Sequence, residues 1–111
     1  MFVAMNRFQI NPERGAEFEE VWKARDSYLS GFDGFIHFAL LKGDEPGDYV
    51  SHSIWETRDN FLDWTRSEAF RRAHGMGLQE GVVVGHPKAS MYAPVDGTEV
   101  GTPITTSATP A

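Results

Sequence analysis

Phe61-Leu-Asp-Trp64-Thr-Arg-Ser67-Glu-Ala-Phe70-Arg-Arg-Ala-His74-Gly75 reads as two short helices end to end. Asp59 is placed to cap the first, its carboxylate accepting from the free amides of the opening turn. Ser67 is placed to cap the second, with Glu68 at the favourable end of the helix dipole and Gly75 as a left-handed stop. Phe61 and Trp64 share a face at i,i+3, and Phe70 and His74 share one at i,i+4. On a single straight helix Trp64 and His74 would lie roughly 80° out of register. A break at Ser67 lets both point into one pocket. Aromatics at this spacing ordinarily fill a core, and a histidine at a helix end ordinarily caps the last carbonyls. The alternative is a pocket with aromatic walls and an imidazole at its lip, which suits a flat apolar macrocycle carrying a metal.

Upstream of this stretch the periodicity is that of strands. Phe2 to Ile10 alternates, with Phe2, Ala4, Asn6, Phe8 and Ile10 on one face and Val3, Met5, Arg7 and Gln9 on the other. Asn6 is the anomaly: an amide in the middle of an apolar face costs on the order of 1–3 kcal/mol if left unpaired. Backbone pairing is the commoner resolution, and a donor aimed at a ligand is the other. Asn11-Pro12-Glu13 starts a helix whose stripe is Phe18, Val21, Trp22, Tyr28 and Leu29. Arg25 falls on that stripe, either snorkelling or as counter-charge to an acidic ligand group. After the Gly31-Phe-Asp-Gly34-Phe35 turn, the spacing predicts strands over Phe35–Lys42 and Tyr49–Glu56, joined by Gly43-Asp-Glu-Pro-Gly47. His37 and His52 lie on this hairpin, His37 sharing a face with Phe35 and Ala39, and His52 with Val50 and Ile54. Without a third ligand at useful spacing they read as core or interface residues rather than a metal site. His86 reads as solvated.

Downstream, the glycine-rich 75–85 segment reads as a pliable loop. It is not a phosphate loop, having no Lys-Ser/Thr ending and no strand-to-helix setting. Lys88–Val95 reads as a last strand. The order is β-α-β-β-α(α)-β, an α+β ferredoxin-like domain over 1–95, and the Gly/Thr/Pro/Ser-rich 96–111 is expected to be a disordered tail. The second sheet face carries Val3, Met5 and part of the hairpin, so a face-to-face homodimer is expected.

Composition narrows the function classes. The 111 residues are 41% apolar and carry a net charge of −6, which argues against a nucleic-acid partner. There is no cysteine, so disulfides and thiolate-held metal centres are excluded. Met1-Phe2-Val3 enters strand-like sequence directly, without a basic leader, and no apolar run is long enough to span a bilayer; a cytoplasmic location is expected. Eight Phe, three Tyr and three Trp exceed what so small a core buries, which implies a ligand pocket or an interface.

Against that background the sequence resembles the dimeric α+β-barrel superfamily named for antibiotic-biosynthesis monooxygenases (ABM). Within it, the chain is similar to the IsdG-type bacterial heme-degrading monooxygenases. The resemblance runs from Phe2 to Val95. Its general parts are the Gly31–Phe35 turn and Ile54-Trp55-Glu56; its specific part is Asn6 in Ala-Met-Asn-Arg-Phe, Trp64 in Phe-Leu-Asp-Trp and His74 in Arg-Arg-Ala-His. The resemblance implies heme as both substrate and cofactor, opened with O2 to a linear tetrapyrrole such as biliverdin, with release of iron. It implies His74 as the iron ligand, Asn6 as a donor on the opposite side and Trp64 as a bulky wall that bends the ring. Trp22, Phe61 and Phe70 are candidate walls and Arg25 a candidate propionate partner. No flavin or nicotinamide motif is present, so electrons are expected from an external NAD(P)H- or ferredoxin-linked reductase. Three other readings stay open: a non-degrading heme carrier, a cofactor-free quinol or polyketide monooxygenase, and a small structural dimer whose aromatics are all core.

Overall fold

The computed structural model describes residues 1–24, 28–74 and 81–102, with 73 and 74 described by backbone alone. Strands β1 (Phe2–Gln9) and β3 (Asp48–Trp55) form the centre of a four-stranded antiparallel sheet. Strand β2 (Phe35–Lys42) lies outside β3, and β4 (Lys88–Tyr92) outside β1. Helix α1 (Gly15–Ala24) links β1 to β2, and α2 (Arg58–Thr65) with α3 (Glu68–His74) follow β3. This is the expected ferredoxin-like α+β order.

The register explains where the core forms. Phe2 pairs with Trp55 at one end of the inner face and Phe8 with Tyr49 at the other. Phe8 and Tyr49 meet Phe18 of α1, with ring centroids 5.5 and 4.9 Å away. Trp55 meets Phe61 and Trp64 of α2 at 5.8 and 6.3 Å. Two apolar clusters result, one under each helical layer. Between them the central strands carry the short side chains Ala4, Ser51 and Ser53, with Asn6 opposite Ser51. Small side chains cannot reach the helices, and that is why a cleft opens there.

Several expectations need correcting. Thr57, not Asp59, caps α2: its hydroxyl accepts from the Asn60 amide at 3.1 Å, leaving Asp59 in the first turn. Ser67 does cap α3, accepting from the Phe70 amide at 3.1 Å while donating to the Trp64 carbonyl at 2.7 Å, and so sits at the break between the helices. Gly75 lies outside the described residues. Tyr28 and Leu29 do not extend the α1 stripe. Tyr28 has φ +58°, and Leu29 is buried in the cluster beside Trp55 and Trp64 rather than that of Phe18.

On β2, a register irregularity between Phe35 and His37 separates the two. His37 pairs with Ile54 and is exposed, whereas Phe38 and Leu40 take the inner face. The last strand stops at Tyr92 rather than Val95. Residues 81–84 are not the pliable end of a loop. Val82 is fully buried, its carbonyl accepts from the Asn11 amide at 2.9 Å, and the Val84 amide donates to the Gln9 carbonyl at 2.7 Å. Burying a valine of this kind contributes roughly 1.5–3 kcal/mol, so this stretch is anchored to the end of β1. Residues 75–80 and 103–111 lie outside the described residues. His86 is exposed, as expected.

Candidate active site

The cleft between the two clusters has a volume of about 510 Å³, within the range of small-molecule sites. Its floor is the inner face of the sheet, where Ala4, Asn6, Ser51, Ser53 and Phe38 lie side by side. Its walls are Trp22 from α1, Phe61, Leu62, Trp64 and Thr65 from α2, and Phe70 from α3. Leu29, Met5, Ala89, Ser90 and Met91 complete it.

Each polar residue of the floor has a distinct state. Ser53 is committed to the fold: its hydroxyl accepts from the Trp55 indole N–H at 3.0 Å and donates to the Ala4 carbonyl at 3.4 Å. Among the described residues the Asn6 carboxamide has no hydrogen-bond partner, so the backbone-paired reading of this residue is not the one observed. An amide on a half-buried face is stabilised only when something pairs with it. Water or a ligand must meet it.

The aromatic walls are rigid for identifiable reasons. Trp64 is 5% exposed and is held edge-on by Phe32 at 5.4 Å and Phe70 at 5.7 Å. Phe61 is held by Phe2 at 5.6 Å. Trp22 stacks on Phe38 with centroids 5.8 Å apart and planes 6° from parallel. That pair also borders a smaller recess of about 380 Å³, lined by Glu19, Lys42 and Tyr49 among others. Burial, and then the adjacent Glu19 carboxylate, push the Tyr49 phenol up to about 12. The Tyr49 hydroxyl and then Lys42 hold Glu19 below its ordinary value.

Of the residues singled out from sequence, Asn6, Trp22, Phe61, Trp64 and Phe70 line this one cleft. Arg25 and the His74 side chain lie outside the described residues. Among the described residues no cluster of three or more His, Cys, Asp or Glu could hold a metal. Sequence reasoning missed Phe38, Ser51 and Ser53. The two serines were readable in principle, since Tyr49, Ser51, Ser53 and Trp55 share a face by alternation. Phe38 was not, because an irregularity in β2 sets its direction.

Comparison with known proteins adds the following. The family model described as antibiotic biosynthesis monooxygenase matches residues 1–76. A heme oxygenase (staphylobilin-producing) from Staphylococcus epidermidis is 37% identical over 46 residues, 41% of this chain and 44% of that protein. The match therefore spans less than half of the curated relative. Among solved structures, the heme-degrader MhuD from Mycobacterium tuberculosis, with two hemes bound in its active site, superposes with a TM-score of 0.71 at 24% identity. That alignment covers 91% of this chain and all of MhuD. SnoaB from Streptomyces nogalater, a cofactor-independent oxygenase, superposes with a TM-score of 0.62 at 21% identity, covering 85% of this chain and 92% of SnoaB. At these identities the structural likeness establishes the fold.

Proposed function

The chain belongs to the antibiotic biosynthesis monooxygenase family, and on that premise we propose that it is a heme-degrading monooxygenase that opens heme to a linear tetrapyrrole and releases its iron. The observation that carries this reading is the convergence of an unpartnered Asn6 carboxamide and a locked Trp64 indole on one aromatic-walled cleft. The partial match to a staphylococcal heme oxygenase supports it. The cleft fits the group: its walls are flat and apolar, its volume is adequate, and its floor offers a free amide.

Bound heme supplies the iron that takes up dioxygen and the ring that is oxidised. His74 and Arg25 are proposed to hold it, the first through the iron and the second through a propionate. Asn6 donates an amide N–H to a polar atom on the side of the cleft floor, where low polarity strengthens the bond. Trp64 is packed edge-on between Phe32 and Phe70 and would present a bulky wall to the ring, favouring its bent form. Trp22, Phe61 and Phe70 exclude water. Electrons come from an external reductase.

The pairing of two such chains is part of the same proposal. The outer sheet face carries Val3, Met5 and Val50 on neighbouring strands, each part-exposed. A second copy would cover it. The domain is proposed to comprise 1–95, with 96–111 as a tail. No helix among the described residues is long and apolar enough to cross a membrane.

The test is a visible spectrum of the hemin-loaded protein before and after reductant in air, with the product identified by mass. A Soret band that His74→Ala abolishes, and that bleaches on turnover, is the expected result. A stable Soret band would make the protein a carrier. No hemin binding at all would favour the cofactor-free oxygenase, a reading the SnoaB-like fold also accommodates.

A further inference from the structure

Ser51 and Ser53 stand two residues apart on β3, on the same face and in the same cleft, yet their hydroxyls are in opposite states. Ser53 is bonded to Trp55 and to the Ala4 carbonyl. The Ser51 hydroxyl has no hydrogen-bond partner among the described residues. Its cross-strand neighbour, directly opposite on β1, is Asn6. Side chains so opposed have Cβ atoms about 4.5–5.5 Å apart, but no hydrogen bond joins these two. The centre of the floor therefore holds two adjacent polar groups, from different strands, neither paired with a described residue.

Both groups are part-exposed to the open cleft, so a ligand seated against them must either pair with them or leave them desolvated, and a valine would suit the strand at position 51 as well. Two tips reaching inward from Cβ atoms at that separation can meet a single small atom at ordinary hydrogen-bond distance from both. A ring is too large to enter between them. A water-sized or diatomic ligand is not.

We propose that Ser51 is a second ligand-binding residue of the site, whose hydroxyl acts with the Asn6 carboxamide as a two-point seat for a small oxygen- or nitrogen-terminated ligand. This rests on the heme reading above, and it assigns the small-ligand side of the cleft to Asn6 and Ser51 jointly. The hydroxyl serves as donor; the ligand atom accepts from both residues.

The experiment titrates azide into the ferric hemin-loaded full chain and reads the visible spectrum, for the unsubstituted protein, Ser51→Val and Ser51→Thr. Valine and threonine have nearly the same shape in a strand, so the pair isolates the hydroxyl. Ser51→Val is expected to weaken azide binding about fivefold, the worth of one hydrogen bond, while hemin affinity stays within about twofold. Ser51→Thr is expected to stay close to the unsubstituted protein. Azide affinity in Ser51→Val within about twofold of the unsubstituted protein would overturn the proposal. So would loss of hemin affinity in Ser51→Val with Ser51→Thr intact, which would give the hydroxyl to the ring. Failure of the unsubstituted chain to bind hemin would instead remove the heme reading, and this assignment with it.

Discussion

Tyr49 of β3 donates its phenolic hydrogen to the Glu19 carboxylate of α1 at 2.5 Å, and Lys42 of β2 approaches the same oxygen at 3.1 Å. This ties the first helix to two strands across the smaller recess. It also has a pH signature. Tyr49 is 2% exposed and its phenol is pushed from 10.0 to about 12. A raised folded value means that its contribution is complete below pH 10 and is lost as pH rises toward 12. The loss is on the order of 1–3 kcal/mol. Glu19 is held low, so its contribution is present above its ordinary value of 4.5 and is lost as pH falls below it. Urea midpoints across pH should show Tyr49→Phe with a flatter alkaline limb than the parent. Equal slopes between pH 10 and 12 would mean that the bond has no energetic consequence.

Asn6→Ala is expected to leave hemin binding intact and to slow ring opening by roughly tenfold or more, the usual order for a lost donor at a reacting centre. The rate of bilin formation under saturating reductant measures it. An unchanged rate would take the carboxamide out of the chemistry.

Trp64 serves both fold and site, so two substitutions separate its roles. Trp64→Ala removes a buried indole from contact with Phe32, Trp55 and Phe70 and should cost about 3–5 kcal/mol in urea unfolding. Trp64→Phe retains much of the packing and should fold, while the bound ring, read by resonance Raman, becomes flatter and opens more slowly. A ring equally bent in Trp64→Phe would show that the deformation comes from elsewhere.

Gly47 and Gly31 share a φ of +85° but not their surroundings. A Cβ at Gly47 would lie 2.2 Å from the Ile10 carbonyl oxygen, a backbone atom, whereas at Gly31 it would meet nothing within 4 Å. Gly31→Ala should cost about 1 kcal/mol, from the left-handed conformation alone. Gly47→Ala should cost clearly more, because the Ile10 amide also donates to the Gly47 carbonyl at 2.7 Å and neither chain can retreat. Thermal melts of the two variants side by side decide it; equal losses would refute the steric part.

Much of the architecture was legible because it depends on local period and turn chemistry. The alternation in Phe2–Gln9, the Gly31–Phe35 turn, the Gly43–Gly47 hairpin and the Ser67 cap are properties of neighbouring residues, and all four are observed. The aromatic half of the cleft was legible too, since helical spacing places Phe61 with Trp64, and Trp22 on the buried stripe of α1. What lay beyond reach depended on partners distant in the chain. Thr57 outcompeted Asp59 as cap because the chain enters α2 extended at Thr57, with φ −138° and ψ 163°. Val82 became core because Asn11 bonds its carbonyl and Gln9 bonds the Val84 amide, two residues on.

Residue order alone determined the succession of strands and helices, the turns between them and the identity of the anomalous amide at Asn6. Only the tertiary structure decided that Asn6 has no partner among the described residues, that Ser51 stands opposite it, and that Phe38 rather than His37 faces inward. The physical reason is that periodicity assigns a side chain to a face, whereas pairing and bulges assign it a neighbour. A site is made of neighbours.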